Sequence, residues 1–349
     1  MIDWLSARVP LDWQSPINEG KFLRLRPDGE IEFSVDCRKV IEGSWSSAVT
    51  VRSVERGFVE ISGNITKFLQ GHNLFGTADL RCLFIDFMFL LCDKLSITPS
   101  LSDVRSWVSG SSVTISRIDL TYSFSLSSRA EVRQWLQAAG QQASVRWRGR
   151  GHFQDGTLTF GKAKSGSRAS RWQLVAYCKA DEFELPRSRL PDSFPSLDLL
   201  RSWVENKLRV EVRLRSEELR DRGLRTLDKW ANVAVSDVHA MYFGKVQLGS
   251  EVTVTVDRLE GLKPRHRAWY AAWQSGADLR DPAVMPRRTF FRVRSEILSA
   301  VGIDIGVRCS VSNVVPLVRV LTAVPAADPV VDPSAVYRPS ERALRLLAA

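Results

Sequence analysis

Trp172-Gln-Leu-Val-Ala-Tyr-Cys-Lys179 is the stretch whose reading decides the fold. Side chains of a strand point alternately to its two faces, so Trp172, Leu174, Ala176 and Cys178 share one face and Gln173, Val175, Tyr177 and Lys179 the other. On this pattern Tyr177 and Lys179 project together. The same reading of Thr114 to Phe124 places Ile118, Leu120, Tyr122 and Phe124 on a core face, with Arg117, Asp119 and Thr121 opposite. In Leu208 to Leu214 the apolar face is Leu208, Val210, Val212 and Leu214, and the polar face is Arg209, Glu211 and Arg213. Three amphipathic strands thus repeat one pattern, as expected of an antiparallel sheet with one solvated face. Such a sheet accounts for the alternation without any chemistry. A tyrosine flanked by two carboxylate-bearing strands is what raises a chemical reading.

Working outward, Phe22 to Arg26, Glu30 to Asp36, Val49 to Val54 and Phe58 to Ser62 read as short strands, with Pro27-Asp-Gly29 as a hairpin turn. Cys82 to Cys92 is the longest apolar run. It follows Thr77, an expected N-cap, and Asp79, which suits the first turn, and it reads as a buried helix. Further helices are expected around 103–108 and from Ser128 to Ala138, with Ser128 as the cap. The stretches Val145 to His152 and Gly161 to Arg171 are basic loops rich in glycine or serine. Arg146, Arg148 and Lys162 there suit phosphates, and Trp147 suits stacking on an unpaired base. An ordinary solvated loop has the same composition. Beyond Leu224 the spacing turns helical, with basic runs at Lys263 to Arg267 and at Arg287-Arg288, and a second domain is expected from about residue 235. The segment from Val324 has Pro325, Pro329, Pro333 and Pro339 and no periodic pattern, which reads as a loosely held tail.

The 349 residues are 44% hydrophobic and 25% charged, a globular composition with room for two domains. A net charge of +10 favours a polyanionic partner, because basic side chains that neutralise phosphates release condensed counterions. The longest apolar stretch is broken by Asp86, so no membrane span is expected. The N-terminus lacks the charged start and apolar core of a secretory signal, which places the chain where it is made. Cys37, Cys82, Cys92, Cys178 and Cys309 form no Cys-x-x-Cys pair and suggest neither a disulfide framework nor a zinc site.

Five segments, in order and spacing, carry a resemblance over most of the chain: Leu69 to Thr77, Ile115 to Asp119, Leu174 to Lys179, Arg209-Val-Glu211 and Asn313 to Arg319, with the opening Met1-Ile-Asp3. Together they resemble the rolling-circle replication initiators of filamentous phages, the gene-two protein family. The central segments are also similar to trans-acting plasmid replication initiators, and the Asn313 segment favours the phage branch. The resemblance implies that Tyr177 is the nucleophile that nicks the plus-strand origin, forming a 5′-phosphotyrosine. It implies Mg2+ or Mn2+ held by Asp119 and Glu211. Lys179 is expected to favour phenolate, and Glu182 to serve as a third ligand or proton acceptor. His72, in a glycine-flanked turn, is a further candidate metal ligand, with a structural hydrogen bond as the alternative. The His-hydrophobic-His metal pair of many rolling-circle nucleases is absent from the sequence.

The expected fold class is α+β: a mainly antiparallel sheet nuclease core with flanking helices, followed by a smaller, mostly helical domain. Residues 1–234 would be the initiator endonuclease, 235–323 an auxiliary DNA-binding domain and 324–349 the tail. Arg117 and Arg209 join the loop residues as expected DNA contacts. The implied partners are origin DNA, duplex and single-stranded, and a host helicase and DNA polymerase, in the cytoplasm of the bacterial host. A non-catalytic single-strand-binding or copy-control protein on the same scaffold is the competing reading. A mobilisation relaxase or transposase is the third, disfavoured by the missing histidine pair and by the Asn313 segment.

Overall fold

In a computed structural model the residues described are 1–348, apart from 44, 46, 146–148, 162–169, 249–261, 275–276, 302–304 and 307–323. Arg146, Trp147, Arg148, Lys162 and the Asn313 segment therefore lie outside the described residues. The strands are β1 (Ile2–Pro10), β2 (Lys21–Leu25), β3 (Ile31–Asp36), β4 (Lys39–Glu42), β5 (Ala48–Glu55), β6 (Phe58–Gly63), β7 (Thr114–Ser125), β8 (Ala143–Val145), β9 (Gly149–Arg150), β10 (His152–Gln154), β11 (Thr157–Phe160), β12 (Trp172–Cys178), β13 (Lys207–Arg215) and β14 (Val246–Leu248). Nine of them form one sheet in the order β10-β11-β12-β13-β7-β1-β6-β5-β4, and every neighbouring pair is antiparallel. The protein is α+β, built on a large antiparallel sheet. β2 and β3 stand apart as a two-stranded ribbon turned by Gly29 at φ +88°.

The three amphipathic segments become adjacent strands: β12 pairs with β13, and β13 with β7. Their apolar faces are buried in one core, where Leu120, Leu208, Val210, Val212 and Leu214 are fully covered. Helices begin where short polar side chains can cap free N–H groups. Asn64 accepts from the Lys67 amide (2.7 Å) to start α1 (Ile65–Gln70), and Gly71 at φ +87° ends it. Asp79, rather than the expected Thr77, caps α2 (Leu80–Lys94), while the Thr77 hydroxyl accepts from the Asp79 amide. Ser100 and Asp103 form a capping box for α3 (Leu101–Ser109). Ser128 caps α4 (Arg129–Gln142), as its position in the sequence predicts.

Three expectations are corrected. The polar face of the central strands is not solvated: Asp119, Thr121, Arg209 and Glu211 are all buried. Strand alternation reports which side chains share a face, but not what a distant segment lays over it. Over Arg209 the Asn73-Leu74 turn does the covering, its two carbonyls accepting from the guanidinium. The C-terminal arm from Val324 onward is not a loose tail. Ala326 donates to the Ser123 carbonyl (2.7 Å) near the end of β7, and Tyr337 donates its hydroxyl to Asp86 (2.7 Å). Ser340 then caps a helix over Glu341–Ala348 that packs on α2. Finally, residues 235–248 belong to the first core. The helix Val235–Phe243 buries Val235, Tyr242 and Phe243 there, and β14 pairs with β8. A separate cluster built on Leu262, Tyr270, Met285, Phe290, Val293 and Ile297 comprises the helices Pro264–Gln274 and Arg287–Val301.

Candidate active site

Cross-strand register sets the site. Val175 of β12 faces Glu211 of β13, Tyr177 faces Arg209, and Asp119 of β7 faces Arg213, so tyrosine and both carboxylates lie on one side of three neighbouring strands. The Tyr177 hydroxyl donates to Glu211 Oε1 at 2.6 Å, and the other oxygen of Glu211 accepts from Arg213 at 2.8 Å. Asp119 is clamped by Arg117, whose Nε and Nη2 approach its two oxygens at 2.8 and 2.5 Å. A groove of about 780 Å³ opens over these groups.

Among the other carboxylates lining the groove, Asp3 was not singled out by the sequence reading. β1 slips register between Ile2 and Trp4, and the bulge residue is Asp3, whose carboxylate accepts from the Asn64 amide group. Bulges re-aim side chains in this way. No strand periodicity could have revealed it, although Met1-Ile-Asp3 was among the resembling segments. Arg213 is likewise part of the site and lies on the face that alternation assigned to it.

Electrostatics follows from burial. Burial raises the Asp119 carboxyl to about 6 against the pull of Arg117, with nearby Glu211 adding to the rise. Burial also pushes Asp3 up, helped by Glu211. Burial works against ionised Glu211 too, but Arg213 and the tyrosine hydrogen bond hold its pKa below the ordinary glutamate value. The Tyr177 phenol is pushed well above 10 by burial and then by Glu211, so it rests protonated against a carboxylate that accepts its hydrogen bond.

Other expected site residues sit differently. β12 ends at Cys178, so Lys179 starts α5 (Lys179–Phe183) instead of continuing the tyrosine's strand. It is fully buried and donates to Glu182 (2.5 Å) and to Asn73 (3.0 Å). Lys179 and Glu182 thus satisfy one another, and Ser188 donates to the second oxygen of Glu182. Arg209, expected at DNA, is 1% exposed and donates to the Asn73 and Leu74 carbonyls. It anchors the covering turn. His72 accepts from the Leu74 amide at Nδ1 and meets the Ala335 carbonyl at Nε2 (2.8 Å), and burial lowers its pKa to about 4. Both ring nitrogens are committed, so the structural hydrogen bond is the role this geometry gives it.

Among the described residues no three His, Cys, Asp or Glu side chains are grouped to cage a metal ion. Mg2+ needs no such cage, since it takes one or two carboxylates and completes its shell with waters and phosphate oxygens. Asp119 and Glu211, each buried and raising the cost of charge on the other, offer the hard oxygen donors such an ion takes. The residues present fit a divalent ion bound together with a phosphate.

The fold and groove define a class: an antiparallel-sheet protein presenting a tyrosine against buried carboxylates. Residues 1–233 match the N-terminal family of the gene-two replication-associated protein, and residues 262–340 match its C-terminal family. The chain is 34% identical over 340 residues to the gene-two replication-associated protein of Enterobacteria phage I2-2, covering 94% of this chain and 95% of that one. The protein belongs to the gene-two family of replication-associated proteins. Among solved structures, the rolling circle replication initiator protein from Geobacillus stearothermophilus aligns over 71% of this chain and 85% of its own, at 12% identity and a TM-score of 0.31. No helix among the described residues is long and apolar enough to cross a membrane.

Proposed function

We propose that this protein initiates rolling-circle replication of a circular phage or plasmid genome by nicking the plus-strand origin through Tyr177. The observation that carries the proposal is the 2.6 Å hydrogen bond from the Tyr177 hydroxyl to Glu211 at the edge of the groove. A phenol is a weak nucleophile until a base takes its proton. Glu211 is within reach of that proton without any rearrangement. In the proposed step the tyrosine oxygen bonds to phosphorus as its proton passes to Glu211, and the bond to the 3′-oxygen breaks with that oxygen taking its electron pair and a proton from water, leaving a 5′-phosphotyrosine and a 3′-hydroxyl. The covalent link keeps the phosphodiester's energy, so the reverse transfer can join ends without a nucleotide.

Arg213 holds Glu211 in place, and Arg117 orients Asp119. Asp119, with the Glu211 oxygen that does not take the tyrosine proton, would hold Mg2+ or Mn2+, which would polarise the scissile phosphate. Lys179 and Glu182, tied to Asn73 and Ser188, fix the start of α5 beside the tyrosine. They act as positioning residues in this reading. Membership of a replication-associated family, with a relative similar over nearly the whole chain, supports origin DNA as substrate. The freed 3′-hydroxyl would be extended by a host polymerase, with a host helicase opening the duplex.

The test is incubation of wild-type protein and Tyr177→Phe with supercoiled plasmid carrying the element's own origin, with and without Mg2+, followed by denaturing electrophoresis. A metal-dependent nick and a protein–DNA adduct, both lost in the variant, are expected. Binding without either product from the wild type would instead make the protein a non-catalytic DNA-binding member of the family.

A further inference from the structure

The groove at Tyr177 does not end at Asp119. β7, β1 and β6 continue the same face of the sheet away from it. Arg215 of β13 faces Arg117 of β7, Arg117 faces Ser6 of β1, and Ser6 faces Ser62 of β6. Trp4 lies opposite Asp119 on this face, partly exposed, its indole donating to the Ser6 hydroxyl at 3.0 Å. The Arg117 guanidinium lies 4.8 Å from the centre of its ring. Past Ser6 a second groove of about 520 Å³ opens, lined by Arg8, Arg38, Arg225, Thr114 and Ser116 among others. Trp4 and Arg117 line the first groove and Ser6 the second, so the two abut across adjacent residues.

Charge on this path is unbalanced. Glu60 takes both Arg38 and Arg52, Glu55 takes Arg8, and Asp119 takes Arg117 with Arg213 at 3.5 Å. Arg215 and Arg225 meet no carboxylate at ion-pair distance among the described residues. The Nε of Arg215 is buried with no hydrogen-bond partner, although arginines stand beside it in register and along the strand. Gathering like charges and leaving a buried donor unmade both cost free energy. A phosphate held among these guanidinium groups would offset the gathered like charge.

We propose that the sheet face running from Tyr177 past Arg215, Arg117 and Trp4 to Arg8 and Arg225 is the track of one single DNA strand flanking the scissile phosphate. Arginines and serine or threonine hydroxyls hold its backbone, and the Trp4 ring provides a stacking surface for a base, the combination that suits unpaired nucleic acid. This deepens the nicking proposal, on which it rests for the placement of the scissile phosphate.

The experiment is fluorescence anisotropy of the full chain with a labelled deoxythymidine strand of about 20 nucleotides, and with a duplex of equal length, in EDTA over a salt series. Arg225→Gln and Arg215→Gln are compared with wild type and with Arg105→Gln, an exposed arginine on α3. Arg225 is exposed, so its substitution leaves folding intact even if Arg215→Gln does not. Each track variant is expected to weaken single-strand binding about three- to tenfold and to lower the slope of log K against log salt by about 1, with Arg105→Gln unchanged. Single-strand binding and salt slope unchanged in both variants would overturn the track, as would a loss confined to the duplex. Binding is read without metal or cleavage, so failure of the wild type to form a tyrosine adduct would remove the nicking reading and leave this result standing.

Discussion

At the scale of single residues, the decisive contact joins Tyr177 to Glu211, and its two partners do different work. In the proposed reaction tyrosine would bring the nucleophilic oxygen, and glutamate a carboxylate kept ionised by Arg213 despite burial. Glu211→Gln keeps size and a hydrogen bond but removes the base. Nicking by this variant should fall by about 10²- to 10⁴-fold in single-turnover cleavage while strand binding persists. A rate within about threefold of wild type would eliminate Glu211 as proton acceptor. The two buried histidines give a second prediction. Burial lowers His72 and His239 to about 4 from 6.5. Between those values the unfolded chain binds protons that the native protein refuses, so their contribution to stability is full above pH 6.5 and is lost as pH falls towards 4. Urea midpoints at neutral pH and near pH 5 should therefore differ less in His239→Gln than in wild type. An equal difference in both proteins would mean His239 titrates normally. That Tyr177, Asp119 and Glu211 each lie on the polar side of their strands was legible from the sequence, because strand alternation is local. The place of Asp3 was not, since a bulge depends on how β1 pairs with β7.

At the scale of elements, the C-terminal arm and the turn after α1 form one latch. Gly71 permits the left-handed turn, Arg209 pins the Asn73 and Leu74 carbonyls from below, and the Ala335 carbonyl meets His72 from above. Asn73 in turn accepts from Lys179 at the start of α5, so the arm is linked to the site through three side chains. Tyr337→Phe deletes the hydroxyl that bonds Asp86 and should cost about 1–2 kcal/mol. Removing residues 324–348 altogether should cost several-fold more and slow nicking as well, because it uncovers the Asn73 turn. Thermal melts and single-turnover cleavage of both variants measure this. An arm deletion that melts and cleaves like wild type would show the arm to be dispensable. The proline-rich composition of this segment suggested looseness, yet proline only removes N–H donors. The arm is held by its remaining amides and side chains against distant partners.

At the scale of the molecule, the chain leaves the first core after Leu248, builds a second apolar cluster over 262–305, and returns to the first core with its arm. The two clusters share no residue. Ile297 is fully buried in the second, and Ile297→Ala should cost about 2–5 kcal/mol there. Hydrogen exchange should then quicken in the helices Pro264–Gln274 and Arg287–Val301 while β7 and β13 keep wild-type protection. Equal loss of protection in β7 and β13 would show the clusters to unfold as one unit.

The sequence by itself determined the antiparallel strands, the side of each that carries tyrosine or carboxylate, several helix caps and the family to which the chain belongs. Those properties reside in side-chain alternation, capping chemistry and motif spacing, all set within a few residues of one another. Only the tertiary structure decided that the polar face is covered, that Lys179 and Arg209 turn inward to hold a loop, that Asp3 joins the groove, and that the arm returns to the first core. Each of these depends on contacts between residues far apart in the chain, whose energies no local pattern records.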